Sequence, residues 1–251
     1  MDIRIVSVKG GVAALKRWIA ILLLMVLSVT VVVYETQASD RAFFLPAPLA
    51  GIKVVVDPGH GGIDGGASVG EVIEKDITLA LGKALEKELK KQGAVVVMTR
   101  SQSGDALEEH NPKATFPTIR ARKMADLKLR EEMITNTDAD LFISVHVNAV
   151  PEARWRGAQV FYHKDGHVEG AAVAKAIQGS IREQVGNTER EALAIKQVYL
   201  LKKATVPAVL VETGFLSNPE ELKLLTEKDY QSQMAKAIAD GIETYVNGEV
   251  Q

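Results

Sequence analysis

Two histidines and two glutamates have the types and positions to act together in one site. His60 follows the apolar run Val54–Val56, His146 ends the run LFISVHV, and Glu212 directly follows the run AVLV. Apolar runs rich in β-branched residues are typical of buried strands. If these strands are parallel, their carboxyl ends share the sheet edge at which α/β folds form ligand crevices. Glu74 begins a helical stretch after the glycine loop of His60, so it can reach the same crevice.

The chemistry that these four side chains favour is that of a catalytic zinc site. The chain has no cysteine, so a metal would be held by His, Asp or Glu. Such a site uses three protein ligands and an open position, and a remaining carboxylate can transfer protons. The residues alone do not decide whether Glu74 or Glu212 is the third ligand.

Other candidate sites are weaker. His163 and His167 have a spacing found in metal sites, but the Asp-Gly pair between them predicts a turn that separates the rings. The glycines after His60 lack the Gly-Lys-Ser/Thr of a phosphate-binding loop, and Ser144 and Ser217 lack the glycine elbow of a serine hydrolase. Three aspartates are interpreted as loop-forming and capping residues rather than ligands: Asp57, Asp64 and Asp76.

An apolar segment near the N-terminus predicts export. Lys16 and Arg17 precede a run over residues 18–34 that is apolar except for one serine and one threonine, an order typical of signals and anchors. We expect residues 1–40 to form a cytoplasmic tip and this segment, and residues 41–51 to form a stalk. The rest would be extracytoplasmic, either anchored in the membrane by the uncleaved segment or secreted after cleavage.

Residues 52–247 alternate between strand-like and helix-like patterns. This alternation predicts an α/β fold: a single doubly wound, mostly parallel sheet with helices on both faces. Residues 101–118 have no sustained period and are interpreted as a long loop or lid. The helix that starts near Ile119 is expected to turn its basic residues outward, and a short strand is expected near Val198–Leu200. The net charge of −2 argues against a nucleic-acid partner.

Four stretches together resemble a known family: VVVDPGHGGIDGGA, EKDITLALGKALEKEL, ADLFISVHVNA and VPAVLVETGFLSNPEE. In this order they resemble the zinc-dependent N-acetylmuramoyl-L-alanine amidases over about residues 52–245. The resemblance implies that His60, Glu74 and His146 bind Zn²⁺ and that Glu212 is the catalytic carboxylate. It also implies hydrolysis, in peptidoglycan, of the amide between the lactyl group of N-acetylmuramic acid and the L-alanine of the stem peptide.

Within this family, the chain resembles the germination-specific, spore-cortex type. The likeness lies in its single hydrophobic segment, its lack of wall-binding repeats and its insertion over residues 101–117. In that type, stem peptides are removed so that muramic-δ-lactam can form, and a deacetylase completes the lactam as a pathway partner. Whether an accessory lipoprotein takes part is left open. Four residues are candidates for contacts with the substrate: Arg100, Arg120, Arg122 and Asn148.

Two other functions fit the same residues. The chain could be a wall-binding module that holds zinc without turnover, although Glu212 argues against that function. It could also be a zinc carboxypeptidase or deacetylase that acts on the same polymer, and release of D-alanine or acetate would identify that activity.

Overall fold

The computed structural model describes residues 9–43 and 47–248, and the chain divides into two units, residues 1–46 and 47–251. The first unit contains helix α1 (Lys9–Phe43), in which the segment Leu15–Tyr34 has a mean hydropathy of 2.3. By length and composition, this segment fits either a membrane-spanning helix or a signal sequence. Residues 1–8 of the predicted cytoplasmic tip and residues 44–46 of the predicted stalk lie outside the described residues.

The second unit alternates strands and helices. Its strands are β1 (Lys53–Pro58), β2 (Ser68–Val69), β3 (Val72–Ile73), β4 (Val95–Met98), β5 (Leu141–Asn148), β6 (Gln159–His163), β7 (Leu193–Ile195) and β8 (Ala208–Phe215). Its helices are α2 (Glu74–Lys91), α3 (Ala106–His110), α4 (Ile119–Asn136), α5 (Gly170–Gln184), α6 (Tyr199–Lys203), α7 (Pro219–Thr226) and α8 (Lys228–Val246).

The main sheet has the strand order β4-β1-β5-β8-β6-β7. All neighbouring pairs in it are parallel except β6 and β8. Val54 and Val56 of β1 belong to one hydrophobic core, with residues of α2, α5 and α8, whereas Val55 belongs to a second core with residues of α4 and α6. Successive strand residues point to opposite faces, so helices cover both. The predicted mostly parallel α/β sheet is confirmed.

Two local predictions are wrong. The strand expected near Val198–Leu200 is replaced by helix α6, while the short strand β7 lies just before it. Leu200 and Leu201 are both buried in the second core, which a strand could not achieve because consecutive side chains would point to opposite faces. The predicted stalk over residues 41–51 extends too far. Leu49 lies within it, but this residue is fully buried in the first core, and its amide donates to the Gln92 carbonyl.

The segment over residues 101–118 is anchored at its centre. Asp105 caps helix α3 by accepting from the Glu108 amide, and it also accepts from the Arg122 guanidinium at 2.7 Å. The Gly62 amide donates to the Ser103 carbonyl at 2.9 Å, and Leu107 is buried. These contacts hold the segment against the glycine loop that follows His60.

A buried ion pair lies directly beneath the glycine loop. Arg130 donates to the Asp57 carboxylate at 2.6 Å, to the Asp126 carboxylate at 2.8 Å and to the His60 carbonyl at 2.6 Å. Burial raises the pKa of Asp57, but Arg130 and the Thr99 and Ser144 hydroxyls outweigh burial and lower it. The prediction that the basic residues of α4 point outward is therefore wrong for Arg130, because its charge is matched in the interior.

Replacing Arg130 with methionine is expected to lower the free energy of unfolding by about 3–5 kcal/mol, since Asp57 would stay buried without its cation. Urea unfolding followed by circular dichroism would measure this loss. Arg120→Met, at an exposed position of the same helix, is the matched control and should change stability by less than about 0.5 kcal/mol. Similar stabilities for the two variants would contradict the role given to the buried pair.

Candidate active site

Three metal-ligating side chains converge at the carboxyl edge of the sheet. His60 follows β1, His146 lies near the end of β5, and Glu74 is the first residue of α2. One ligand atom from each lies within 4.8 Å of the others. The Glu74 carboxylate is 3.2 Å from His60 Nε2 and 3.0 Å from His146 Nδ1. The arrangement that parallel strands predicted for these three residues is therefore present.

Two glycines make room for this convergence. A Cβ atom on Gly59 would lie 2.4 Å from the His146 ring, and a Cβ atom on Gly66 would lie 2.4 Å from Glu74 Oε2. Any other residue at these positions would push a ligand side chain aside. Gly59 and Gly66 are thus explained by the close packing of the three side chains.

Backbone amides fix the Glu74 carboxylate. The Ala67 amide donates to Oε2 at 2.8 Å, and the Val147 amide donates to Oε1 at 3.1 Å. Burial raises the pKa of Glu74, but the hydrogen bonds with His146 and His60 lower it well below its usual range, so the group is an anion. Two imidazoles and one oriented carboxylate, with no thiolate, form a donor set that suits a divalent ion such as zinc.

Glu212 lies beside this group, on the next strand. In the register of β5 and β8 it is directly opposite His146. Its Oε2 is buried and has no hydrogen-bond partner. Burial raises the pKa of Glu212 to about 7. A carboxyl with one unpartnered oxygen and a raised pKa, next to three potential metal ligands, is suited to accepting and returning protons.

A cavity of about 230 Å³ opens onto the two imidazoles. His60, His146 and Gly59 line one part of it, and the apolar side chains of Ile63, Leu127 and Leu200 line another. The other lining residues are charged: Asp57, Asp64, Asp105, Lys123, Asp126 and Arg130. A concave site with apolar walls and a few convergent polar groups is the usual form of a substrate pocket. The cavity leaves the His60 and His146 rings accessible from this side.

The comparison with known proteins decides the family. The family model described as N-acetylmuramoyl-L-alanine amidase matches residues 54–244, which include all four site residues. The chain belongs to this amidase family. Its predicted enzyme class is confirmed by this match.

Relatives extend the likeness over most of the amidase. It is 39% identical to the germination-specific N-acetylmuramoyl-L-alanine amidase of Bacillus subtilis, over 91% of this chain and 94% of the relative. Among solved structures, the CwlD amidase of Clostridioides difficile, in complex with the GerS lipoprotein, is 38% identical with a TM-score of 0.73. That match covers 78% of this chain and 99% of CwlD. The catalytic domain of CwlV from Bacillus (Paenibacillus) polymyxa is 31% identical with a TM-score of 0.64, covering 80% and 99% of the two chains.

Asp64 has a role in the amidase site that the sequence reasoning missed. Its Oδ2 is 3.1 Å from His60 Nδ1, and its Oδ1 accepts from the Lys123 ammonium at 2.7 Å. A carboxylate bonded to one ring nitrogen orients the imidazole and directs the other nitrogen toward a metal. Asp64 is therefore more than a loop-forming residue, although it is not one of the three convergent ligands. Its position four residues after His60, in the same glycine loop, is the signal that could have indicated this contact.

Replacing Asp64 with asparagine is expected to weaken zinc binding by the amidase about 10- to 100-fold, because the His60 ring would lose its anionic partner. Competition with a chromophoric chelator would measure the affinity without relying on turnover. Asp76→Asn, an exposed position in the first turn of α2, is the matched control and should bind zinc as the wild type does. An unchanged affinity in Asp64→Asn would contradict this positioning role.

Arg100 is not placed to contact substrate, so that prediction is wrong. Its side chain is fully buried and donates to the carbonyls of Pro58, Gly59 and Lys75 at 2.8–2.9 Å. These bonds satisfy backbone acceptors of the glycine loop and hold it in shape. Asn148 is partly exposed at the end of β5, and its contact with substrate stays a prediction.

The remaining candidates are not among the three convergent ligands. Arg122 is paired with Asp105, and Arg120 is exposed. His163 Nδ1 accepts from the Asp165 amide, and His167 Nδ1 accepts from the Glu169 amide. Among the described residues, neither histidine belongs to a cluster that could hold a metal ion, in agreement with the predicted turn.

Proposed function

We propose that the amidase uses a bound zinc ion to hydrolyse the amide between the lactyl group of N-acetylmuramic acid and the L-alanine of the stem peptide. The observation that carries this proposal is the convergence of His60, Glu74 and His146 within 4.8 Å, beside the half-buried carboxyl of Glu212. The two imidazoles and one carboxylate supply three ligands, the number that catalytic zinc sites use. When bound, zinc polarises the scissile carbonyl and makes water more acidic.

Glu212 then transfers the proton in both steps of the reaction. The carboxylate form of Glu212 takes a proton from the attacking water as the oxygen bonds to the lactyl carbonyl carbon. The same group returns the proton to the amide nitrogen as the carbon–nitrogen bond breaks. The products are a lactyl carboxylate on the glycan and a free amino terminus on L-alanine. A pKa of about 7 lets Glu212 perform both transfers near neutral pH.

We propose that the biological substrate is the peptidoglycan of the spore cortex. The relative from B. subtilis, 39% identical over nearly its whole length, is a germination-specific amidase. The amidase would then remove stem peptides so that muramic-δ-lactam can form, with a deacetylase as the enzyme that acts next. It would act outside the cytoplasm, with α1 as either a retained anchor or a signal.

Besides the deacetylase, we propose an accessory lipoprotein as a partner of the amidase. The CwlD amidase of C. difficile, 38% identical to this chain, was solved in complex with the GerS lipoprotein. A lipid-anchored protein and a chain with an N-terminal apolar helix would meet at the same membrane surface. This pairing can be tested by co-purification of the full-length amidase with lipoproteins of its own organism.

The proposed activity is tested on purified peptidoglycan sacculi. The full-length amidase should generate new L-alanine amino termini, a chelator should stop their appearance, and added zinc should restore it. Mass spectrometry of the products should show glycan fragments that have lost whole stem peptides. Release of D-alanine or acetate, or binding without any product, would contradict the proposal.

A further inference from the structure

A cluster of three arginines and an exposed tryptophan lies beside the catalytic strand. Arg154, Trp155 and Arg156 precede β6, and Arg190 precedes β7. Trp155 is 43% exposed, and the guanidinium carbons of Arg154 and Arg190 lie 5.3 and 5.6 Å from the centre of its ring. We call these four residues the arginine–tryptophan platform. Exposed Trp and Arg together are typical of recognition surfaces.

The platform is joined to the strand that carries Glu212. The Arg190 guanidinium lies 5.3 Å from the ring centre of Phe215, at the end of β8. It also donates to the Gln159 side chain at 3.1 Å, and Gln159 is directly opposite Glu212 in the register of β6 and β8. The Cα atoms of directly opposed residues in an antiparallel pair lie about 4.5–5.5 Å apart. The platform therefore lies at the same sheet edge as Glu212.

The loop that carries the platform is held rigidly against β8. The buried Glu221 carboxylate accepts from the Gly157 amide and from the Phe215 amide, both at 2.9 Å. One side chain thus links the residue after Arg156 to the end of the catalytic strand. A preformed surface loses little conformational entropy when it binds a ligand.

The platform carries unmatched positive charge. Arg156 pairs with Glu220 at 3.3 Å, but both side chains are more than half exposed, and exposed pairs contribute little. Among the described residues, Arg154 and Arg190 form no salt bridge. The Arg190 guanidinium also donates to the Arg156 carbonyl, so Arg154 and Arg156 are the platform arginines left to bind an anion. A groove of about 600 Å³ lies beside the platform and is lined by Trp155, Arg156 and residues 186–190. One acidic residue, Glu189, lines this groove, and it pairs with Arg182 at 3.7 Å.

We propose that the platform binds carboxylates of the stem peptide and so positions the scissile amide next to Glu212. Guanidinium groups bind carboxylates through two parallel hydrogen bonds, which fix orientation as well as charge. The contacts of Arg190 with Phe215 and Gln159, at the sheet edge that carries Glu212, favour the substrate over a separate protein partner as the occupant. This inference rests on the amidase activity proposed above and adds a determinant of substrate choice.

Direct binding can be followed through Trp155. The chain has two tryptophans, so in a full-length Trp18→Phe variant only Trp155 emits. The peptide L-Ala-γ-D-Glu-L-Lys, with a free α-carboxylate on its glutamate, should change this emission saturably. The same peptide with that carboxylate converted to a carboxamide should bind about tenfold more weakly. The double variant Arg154→Gln/Arg156→Gln, made at two exposed positions, should lose this preference for the acid.

Kinetics on two muramyl peptides complete the test. One carries the free α-carboxylate on its glutamate, and the other carries the carboxamide. The double variant should show a KM about tenfold higher on the acidic substrate, with kcat unchanged and with little change on the amidated substrate. Lys202→Gln/Lys203→Gln removes two positive charges at exposed positions outside the groove and should behave as the wild type. An unchanged KM and unchanged peptide binding would overturn the proposal, and an accompanying loss of lipoprotein binding would assign the platform to a protein partner. If the wild type cleaves neither substrate, the amidase function itself fails.

Discussion

Replacing Glu212 with glutamine is expected to lower the rate of stem-peptide release by about 10²–10⁴-fold, the usual contribution of a positioned general base and acid. Glutamine has nearly the same size as glutamate but cannot take a proton from water. Glu212 is not one of the three convergent ligands, so the variant should keep its zinc. Chelator competition should give a wild-type affinity while the assay of L-alanine amino termini shows the loss.

Glu183→Gln is the matched control for this variant. Glu183 is an exposed residue of α5, so removing its charge should leave turnover within about twofold of the wild type. Full activity in Glu212→Gln would contradict the catalytic role of Glu212. Loss of zinc from that variant would instead indicate that Glu212 is itself a ligand.

Replacing Gly59 with alanine is expected to have a comparably large effect through geometry alone. The new methyl group would lie 2.4 Å from the His146 ring, so the ring would have to leave its position beside Glu74. A displacement of about 1 Å in a catalytic group can cost about 10²-fold in rate. We therefore expect at least a hundredfold loss of activity together with weaker zinc binding, measured by turnover and by chelator competition.

Gly179→Ala provides the control for the added methyl group. Gly179 lies within α5, and a Cβ atom there would meet nothing within 4 Å. That variant should keep full activity and be slightly more stable, by about 0.5–1 kcal/mol, because alanine favours a helix. If Gly59→Ala bound zinc as tightly as Gly179→Ala does, the packing of His146 against Gly59 would not be what holds the site together.

The sequence predicts the positions of the site residues well because most of them lie at the ends of strands. Apolar runs place His60, His146 and Glu212 at one edge once the strands are parallel, and the register of β5 and β8 sets His146 opposite Glu212. Sequence logic left open whether Glu74 or Glu212 completes the set of ligands. The structure brings the Glu74 carboxylate to within 3.2 Å of both imidazoles, because the glycine loop turns the start of α2 toward them.

Buried charges are what the sequence reasoning could not predict. A basic residue in an amphipathic helix is usually solvated, so nothing local marks Arg130 as the partner of Asp57, which lies 73 positions away along the chain. Arg100 is buried for a similar reason: it satisfies carbonyls of a loop whose shape exists only after folding. From the sequence, Asp64 is interpreted as a turn residue, and only its distance to the His60 ring shows its further role. Each of these roles depends on tertiary contacts between distant segments.

The most direct test of the account is the location of the metal itself. Crystals of the amidase grown with zinc should give an anomalous difference peak, at the zinc absorption edge, among His60, Glu74 and His146. The peak should lie about 2.0–2.1 Å from a nitrogen of each imidazole and about 2.0–2.2 Å from a Glu74 oxygen. Zinc bound elsewhere in the protein, with this group of side chains left without a metal, would contradict it.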